Sequence, residues 1–360
     1  MALQLPVALR ADPPSLARKL GISVAAVQFA RECEIIDLHV DSFIPPRLWG
    51  YGVLHRHKGG PLGHRFFGHL DLPRLQDGGL GGAMWSITTN PFRSPAARWE
   101  VFQKNLRGLQ SLVNASRGAM RIVRTHSEYV AARAQHAHAV LVSIQGGNAL
   151  EAAPNGPADI ANNAVVRVTL VHLTSSVYGT TSSPQSALRF NKGLTRAGAQ
   201  LVERLNDRRI FVDLAHIHPK AFWDAVRIHD KRQPLLATHT GVTGVKKHWR
   251  NLDDKQLRAI ADTGGVVGVI FSTAFLKTRR TGADAGMVVD HIEHIVNVVG
   301  EDHAAVGSDF DGAIIPPLDL ASAECYPVLV EHMLARGWSE TRIRKILGLN
   351  FLRCFQQLRP

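Results

Sequence analysis

The chain has 360 residues, 45% of them hydrophobic and 20% charged, a balance that excludes a disordered protein. No unbroken apolar run reaches the eighteen or so residues that a membrane span needs, and the N-terminal MALQLPVALRADPPSLARKL is interrupted by Asp12, Pro13 and Pro14, so neither a membrane span nor a secretory signal is read. The net charge of +12 comes from scattered Lys and Arg without a helix-turn-helix, finger or RNP-like sequence, which describes a basic surface rather than a nucleic-acid partner.

Residues 1–33 are expected to form a helical extension ahead of a single domain over 34–360. Short apolar runs then alternate with helix-like stretches, the pattern of βα units around a parallel sheet. The runs are 34–38, 83–88, 140–144, 165–171, 210–214, 235–238, 266–271 and 304–307. Two of them, VVRVTLV and GVVGVIF, read as continuous apolar strands covered on both faces. Amphipathic helices are expected over 196–205, 254–261 and 289–299, and two more at 326–335 and 340–356, with Ser339 as N-cap of the last. The loops at 45–68 and 89–98 are long and rich in Gly, Pro or His, as loops that line sites often are. The basic pairs Lys246-Lys247 and Arg279-Arg280 fall in loops. Cys33, Cys325 and Cys354 are odd in number and form no CxxC, so no disulfide framework or thiolate zinc site is read, and a reducing cytoplasm is the expected compartment.

Eight such strands can close as a (β/α)8 barrel or lie in an open doubly wound sheet. The residues that follow the strands favour the barrel. The first strand runs into Asp37-Leu38-His39-Val40-Asp41, and alternation lets His39 and Asp41 share a face. The third ends at Gln145, the fourth at His172, the fifth at His216, the sixth at His239 and the eighth at Asp309. Only a closed barrel gathers these ends into one bowl, where imidazoles and carboxylates suit zinc or a similar divalent ion. His55, His57, His64, His126, His136, His138, His229 and His291 are assigned to surface or loop positions. Asn148 and Tyr178 lie near the same strand ends and are read as pocket-shaping.

From about residue 34 onward the chain resembles the membrane (renal) dipeptidase family of the amidohydrolase superfamily. The stretches that carry the resemblance are IDLHVDS at 36–42, HLDLPRLQDGGLGGAMWS at 69–86, GLTRAGAQLVERLNDRRIFVDLAH at 193–216, HWRNLDD at 248–254, GEDHAAVGSDFDG at 300–312 and NFLRCFQQL at 350–358. The resemblance implies a TIM-like barrel with two zinc ions that hydrolyses dipeptides, and a homodimer. It implies that His39 and Asp41 bind the more buried ion and that His216 and His239 bind the second. His172 would stabilise the oxyanion, Arg250 would bind the substrate carboxylate, and Asp309 would move the proton. Asp311, next to Gly312, is read as a turn residue.

The family's bridging Glu falls on Gln145. Two doubly charged ions about 3.5 Å apart repel by roughly 19 kcal/mol at an effective dielectric of 20, and an amide supplies no charge to offset this. The expectation is therefore at most one strongly held zinc, with Gln145 a weak or absent ligand and Gln145→Glu restoring the second ion. Three functions remain open at this point: a dipeptidase-like metallohydrolase, an amidohydrolase for an N-acyl amino acid or lactone, and a non-catalytic binder of a carboxylate ligand.

Overall fold

The computed structural model describes residues 11–41, 43–45, 50, 52–58, 64–188, 190–278 and 283–360. Each expected apolar run becomes a strand: β1 (Ile35–Val40), β2 (Leu80–Thr88), β4 (His138–Gln145), β5 (Val165–Thr169), β6 (Phe211–Asp213), β7 (Leu236–Thr240), β8 (Val266–Val269) and β9 (Ala304–Val306). All pair in parallel, in the order β1-β2-β4-β5-β6-β7-β8-β9. The first and last meet as well: Val40 bridges Phe310, Asp309 N–H donates to the His39 carbonyl at 2.9 Å, and Asp41 N–H donates to the Phe310 carbonyl at 2.8 Å. The result is a nearly closed barrel of eight parallel strands. The short β3 (Met120–Ile122) pairs only with β4, beside the barrel, and its three residues carry no periodic signal.

The helices begin where short polar residues can take up free N–H groups. Ser94 caps the helix Pro95–Ala115, Thr195 caps Arg196–Asp207, and Asp253 forms a capping box with Gln256 at Asp254–Ala261. Ser339 accepts from Arg342 N–H at 3.2 Å, as expected. The single helix expected over 340–356 is divided instead by a π turn at Lys345–Leu349. Within that turn Gly348 lies against the Glu34 carbonyl, where an added Cβ would come within 1.9 Å of the oxygen. Residues 1–10 and Arg279-Arg280 lie outside the described residues. The helices Pro13–Leu20 and Val24–Glu32 account for the rest of the N-terminal stretch, and the second contributes Ala26, Phe29 and Ala30 to the main core.

One apolar cluster takes residues from all eight barrel strands, including Ile36, Met84, Leu141, Val166 and Phe211, so it fills the barrel interior. Phe351, Leu352, Phe355 and Leu358 of the helix Asn350–Leu358 join it, with the Phe351 and Phe355 rings 5.7 and 6.4 Å from Phe211. Phe211, Leu236, Val266 and Ala305 open or nearly open their strands, so this helix plugs the N-terminal end of the barrel. The opposite end is left for polar groups.

Three histidines assigned to the surface are corrected here. His138, His229 and His291 are buried, each held by protein partners: His138 by Trp85 and the Leu80 carbonyl, His229 by the Gln233 carbonyl, and His291 by Val242 N–H. A neutral imidazole is tolerated inside a core when its polar atoms are satisfied, as both ring nitrogens of His138 and His291 are, whereas His229 keeps a buried Nδ1 without a partner; composition alone reveals none of this. Cys33, Cys325 and Cys354 are free and buried.

Candidate metal and substrate site

The strand ends bring His39, Asp41, Gln145, His216, His239, Arg250 and Asp309 together as buried polar residues, with His172 partly exposed beside them. His39 Nε2 lies 3.7 Å from Asp41 Oδ1 and 3.6 Å from Asp309 Oδ1. The Nε2 atoms of His216 and His239 are 2.9 Å apart, and the Gln145 amide nitrogen sits 3.2 and 3.4 Å from them. Gln145 Oε1 accepts from the Thr88 hydroxyl at 2.9 Å. The His172 ring meets His216 edge-on, with centroids 4.7 Å apart. Tyr178 packs near Gly147, just beyond Gln145.

His216 and Asp309 both hold left-handed backbone, with φ of 65° and 64°. For non-glycine residues this costs on the order of 1–3 kcal/mol and marks positions the surrounding structure dictates. Gly312 makes room for Asp309, since a Cβ there would come within 2.3 Å of its Oδ1. Asp311 points elsewhere: its Oδ1 accepts from Gly68 and His69 N–H at 2.6 and 2.9 Å, tying the first long loop to the strand end. His69, which the sequence reading passed over, completes that tie by accepting from Asp311 N–H at 2.9 Å.

Burial dominates the electrostatics. It drives His216 and His239 well below the ordinary imidazole pKa, with Arg250 and Arg167 adding to the effect, so both rings are neutral at pH 7. His172 is lowered by desolvation too. Asp309 is pushed well above the usual carboxylate range by burial and by Asp41, whereas the contact with His39 holds Asp41 below it in spite of burial. Two neighbouring carboxylates thus favour different protonation states. Arg250 loses basicity through burial, partly offset by Asp309, and stays a cation. Its Nη2 donates to the His239 carbonyl at 2.7 Å, while its buried Nε has no partner.

Beneath these groups lies a feature the sequence reading missed. Arg167, within VVRVTLV, is fully buried and reaches across the barrel interior. Its Nη2 is 2.7 Å from His39 Nδ1, its Nη1 is 3.3 Å from Asp213 Oδ2, and it also donates to Thr169 and to the Ile144 carbonyl. Asp213 accepts as well from the hydroxyls of Thr169 and Thr238 at 2.6 and 2.8 Å and from Thr238 N–H at 3.0 Å. A charged residue in the middle of an apolar strand was the available signal, because buried charges are almost always paired.

A parallel barrel with imidazoles and carboxylates at its strand ends defines a class, the metal-dependent hydrolases of the amidohydrolase type. The sequence profile of the membrane dipeptidase family, peptidase family M19, matches residues 25–359, and the chain belongs to that family of dipeptidase-like metallohydrolases. It is 40% identical over 169 residues, 46% of this chain and 61% of the other, to an uncharacterized protein in the pqqA 5′ region of Klebsiella pneumoniae. It is 27% identical over 299 residues, 79% of this chain and 74% of the other, to the dipeptidase verJ of Clonostachys rogersoniana. Among solved structures it is similar to a metallopeptidase of Rhodobacter sphaeroides liganded with a phosphinate mimic of the dipeptide L-Ala-D-Ala. That match has 26% identity and a TM-score of 0.78, covering 91% of this chain and 99% of the other.

The residues present can be tested against the metal that the family implies. Nitrogens of His39 and His239 and an oxygen of Asp309 all lie within 4.8 Å of one another. His239 fits a ligand's role. The Thr238 hydroxyl spends its hydrogen on Asp213, so its oxygen accepts from His239 Nδ1–H at 2.9 Å, leaving the Nε2 lone pair free. His216 Nδ1 has no partner, so that ring can take the tautomer an ion requires. The paired Nε2 atoms of His216 and His239 thus offer two imidazole donors of the kind that zinc takes. No helix among the described residues is long and apolar enough to cross a membrane.

Proposed function

We propose that the chain hydrolyses the amide bond of a dipeptide, or of a similarly small amide with a free carboxylate, with zinc held by His216 and His239. A bound ion there supplies Lewis acidity and lowers the pKa of a bound water. Arg250 carries the reading. A buried guanidinium anchored through only part of its fork, with Nε unpaired, has donors in reserve for a carboxylate, and its planar geometry suits two parallel bonds. His172, neutral and at the open side of the bowl, donates to the oxygen on which negative charge develops. Asp309 accepts a proton from water and returns it to the leaving amine, the role its raised pKa favours. The three free cysteines support a reducing compartment, and we place the protein in the cytoplasm on that basis.

The test is turnover of a dipeptide panel by zinc-loaded protein, with each substrate offered as the acid and as the C-terminal amide. Hydrolysis confined to the acids supports the reading. Binding of the acids with no hydrolysis by zinc-loaded protein would replace it with a non-catalytic carboxylate receptor, the outcome that Gln145 makes worth measuring.

A further inference from the structure

The sequence reading places the whole departure from a binuclear site on Gln145. The hydrogen bonds around His39 add a second, independent one. Arginine has only donors, so with Arg167 Nη2 at 2.7 Å, His39 Nδ1 must accept. A neutral imidazole that accepts at Nδ1 carries its hydrogen on Nε2. That Nε2 is buried, has no hydrogen-bond partner, and faces Asp41 and Asp309 at 3.7 and 3.6 Å. It thus points a hydrogen, not a lone pair, at the place where the family's more buried ion would be held. His239 has the opposite arrangement, donating through Nδ1 to Thr238 and keeping Nε2 free. The two histidines differ because their Nδ1 partners differ: a hydroxyl oxygen that accepts, and a guanidinium that cannot.

We infer that Arg167, a fixed cation on the Nδ1 side of His39, holds that ring as the Nε2–H tautomer, denies the more buried ion its imidazole ligand, and leaves the chain with a single divalent ion on the His216 and His239 side. Several contacts keep the guanidinium there. Asp213 is its counter-charge, and the Thr169 hydroxyl and the Ile144 carbonyl accept from the same Nη1. With the ion absent from the His39 side, no second cation needs a bridging carboxylate, and a neutral amide at Gln145 suffices. His39 then serves as a donor aimed at two carboxylates, orienting Asp41 and Asp309 rather than ligating.

This inference rests on the proposed function only for the presence of an ion at His216 and His239. Its test reads zinc stoichiometry and the ring nitrogens of His39, neither of which depends on turnover. In 15N spectra of zinc-loaded wild-type protein, His39 should show a pyridine-like Nδ1 and a protonated Nε2. A protonated Nδ1 with Nε2 on zinc would overturn it. Zinc per chain should be close to one in the wild type and remain so in Gln145→Glu, rising toward two only when Arg167→Met is combined with Gln145→Glu. Two ions in Gln145→Glu alone, or one in the combined variant, would also overturn it. Should removal of Arg167 leave Asp213 unpaired and the barrel unfolded, Asp213→Asn is added to the combined variant; the wild-type spectrum needs no variant. Dipeptide hydrolysis by a protein whose His39 is Nδ1-protonated would sink this inference alone. The expected tautomer without turnover would sink the hydrolase reading alone.

Discussion

Replacing His138 with Gln should make the fold less sensitive to acid while making it less stable at neutral pH. His138 opens β4 with both ring nitrogens committed: Nε2 accepts from the Trp85 indole N–H and Nδ1–H donates to the Leu80 carbonyl, each at 3.1 Å. A proton added to Nε2 would face the indole N–H, donor against donor. Burial is the main reason its pKa falls from 6.5 to about 4; the Leu80 carbonyl opposes this and Arg133 assists it. The unfolded chain takes up this proton as pH falls through about 6.5, and the folded chain does so only near pH 4, so the unfolded state binds more protons in between. The contribution is complete above pH 6.5 and is lost as pH falls toward 4. At about 1.4 kcal/mol for each pH unit, the window amounts to roughly 3 kcal/mol. Urea midpoints of wild type and His138→Gln at steps from pH 7 to pH 4.5 provide the assay. The variant should lose about 1–3 kcal/mol at pH 7, from the indole N–H left without its acceptor, and its stability should then fall less steeply below pH 6. Parallel curves for the two proteins would refute the reasoning.

Arg250→Ala should raise KM for a dipeptide by about 2–5 kcal/mol in binding terms, as expected when one partner of a buried charge-assisted contact is removed. Arg250→Lys should rescue little, because a point charge lacks the fork; equal affinity of the wild type for acid and amide ligands would count against the carboxylate assignment. Ser339→Ala should cost about 1 kcal/mol in a denaturant melt by freeing Arg342 N–H, and leave hydrolysis unchanged. Gly307→Ala should yield no soluble folded protein, because its Cβ would come within 1.8 Å of the Thr238 carbonyl, backbone that cannot step aside; a well-folded variant would show that the barrel interior is looser than described.

Much of this architecture is legible in the chain because parallel strands covered on both faces write themselves as apolar runs. Seven of the eight site residues could be placed because they stand at or just past the ends of those runs, and Arg250 by the resemblance of its surrounding motif. What could not be read were pairings across strands. Arg167 on β5 reaches both Asp213 on the neighbouring β6 and His39 on β1 across the barrel, and no spacing in the sequence says that one side chain will touch both. The helix Pro95–Ala115 carried its own signal in Ser94 and Pro95, yet the polar stretch before it reads as loop through residue 98. The π turn at Lys345–Leu349 has no local signature at all; it is set by how closely Gly348 approaches β1.

The barrel's closure also fixes when the site comes into being during synthesis. His39 leaves the ribosome early, but Asp309 reaches it only when residues beyond 300 have emerged and β9 has docked on β1. Until the segment 351–358 follows, Phe211 and its neighbours at the lower end of the barrel lack the aromatic plug that covers them. A nascent chain halted before β9 therefore holds a sheet with two unpaired edges and an open apolar base, the kind of surface on which aggregation starts. Assembly of the bowl waits on β9 and sealing of the base on the segment 351–358, so a ligand that reads the complete bowl reports only on chains in which β9 has docked.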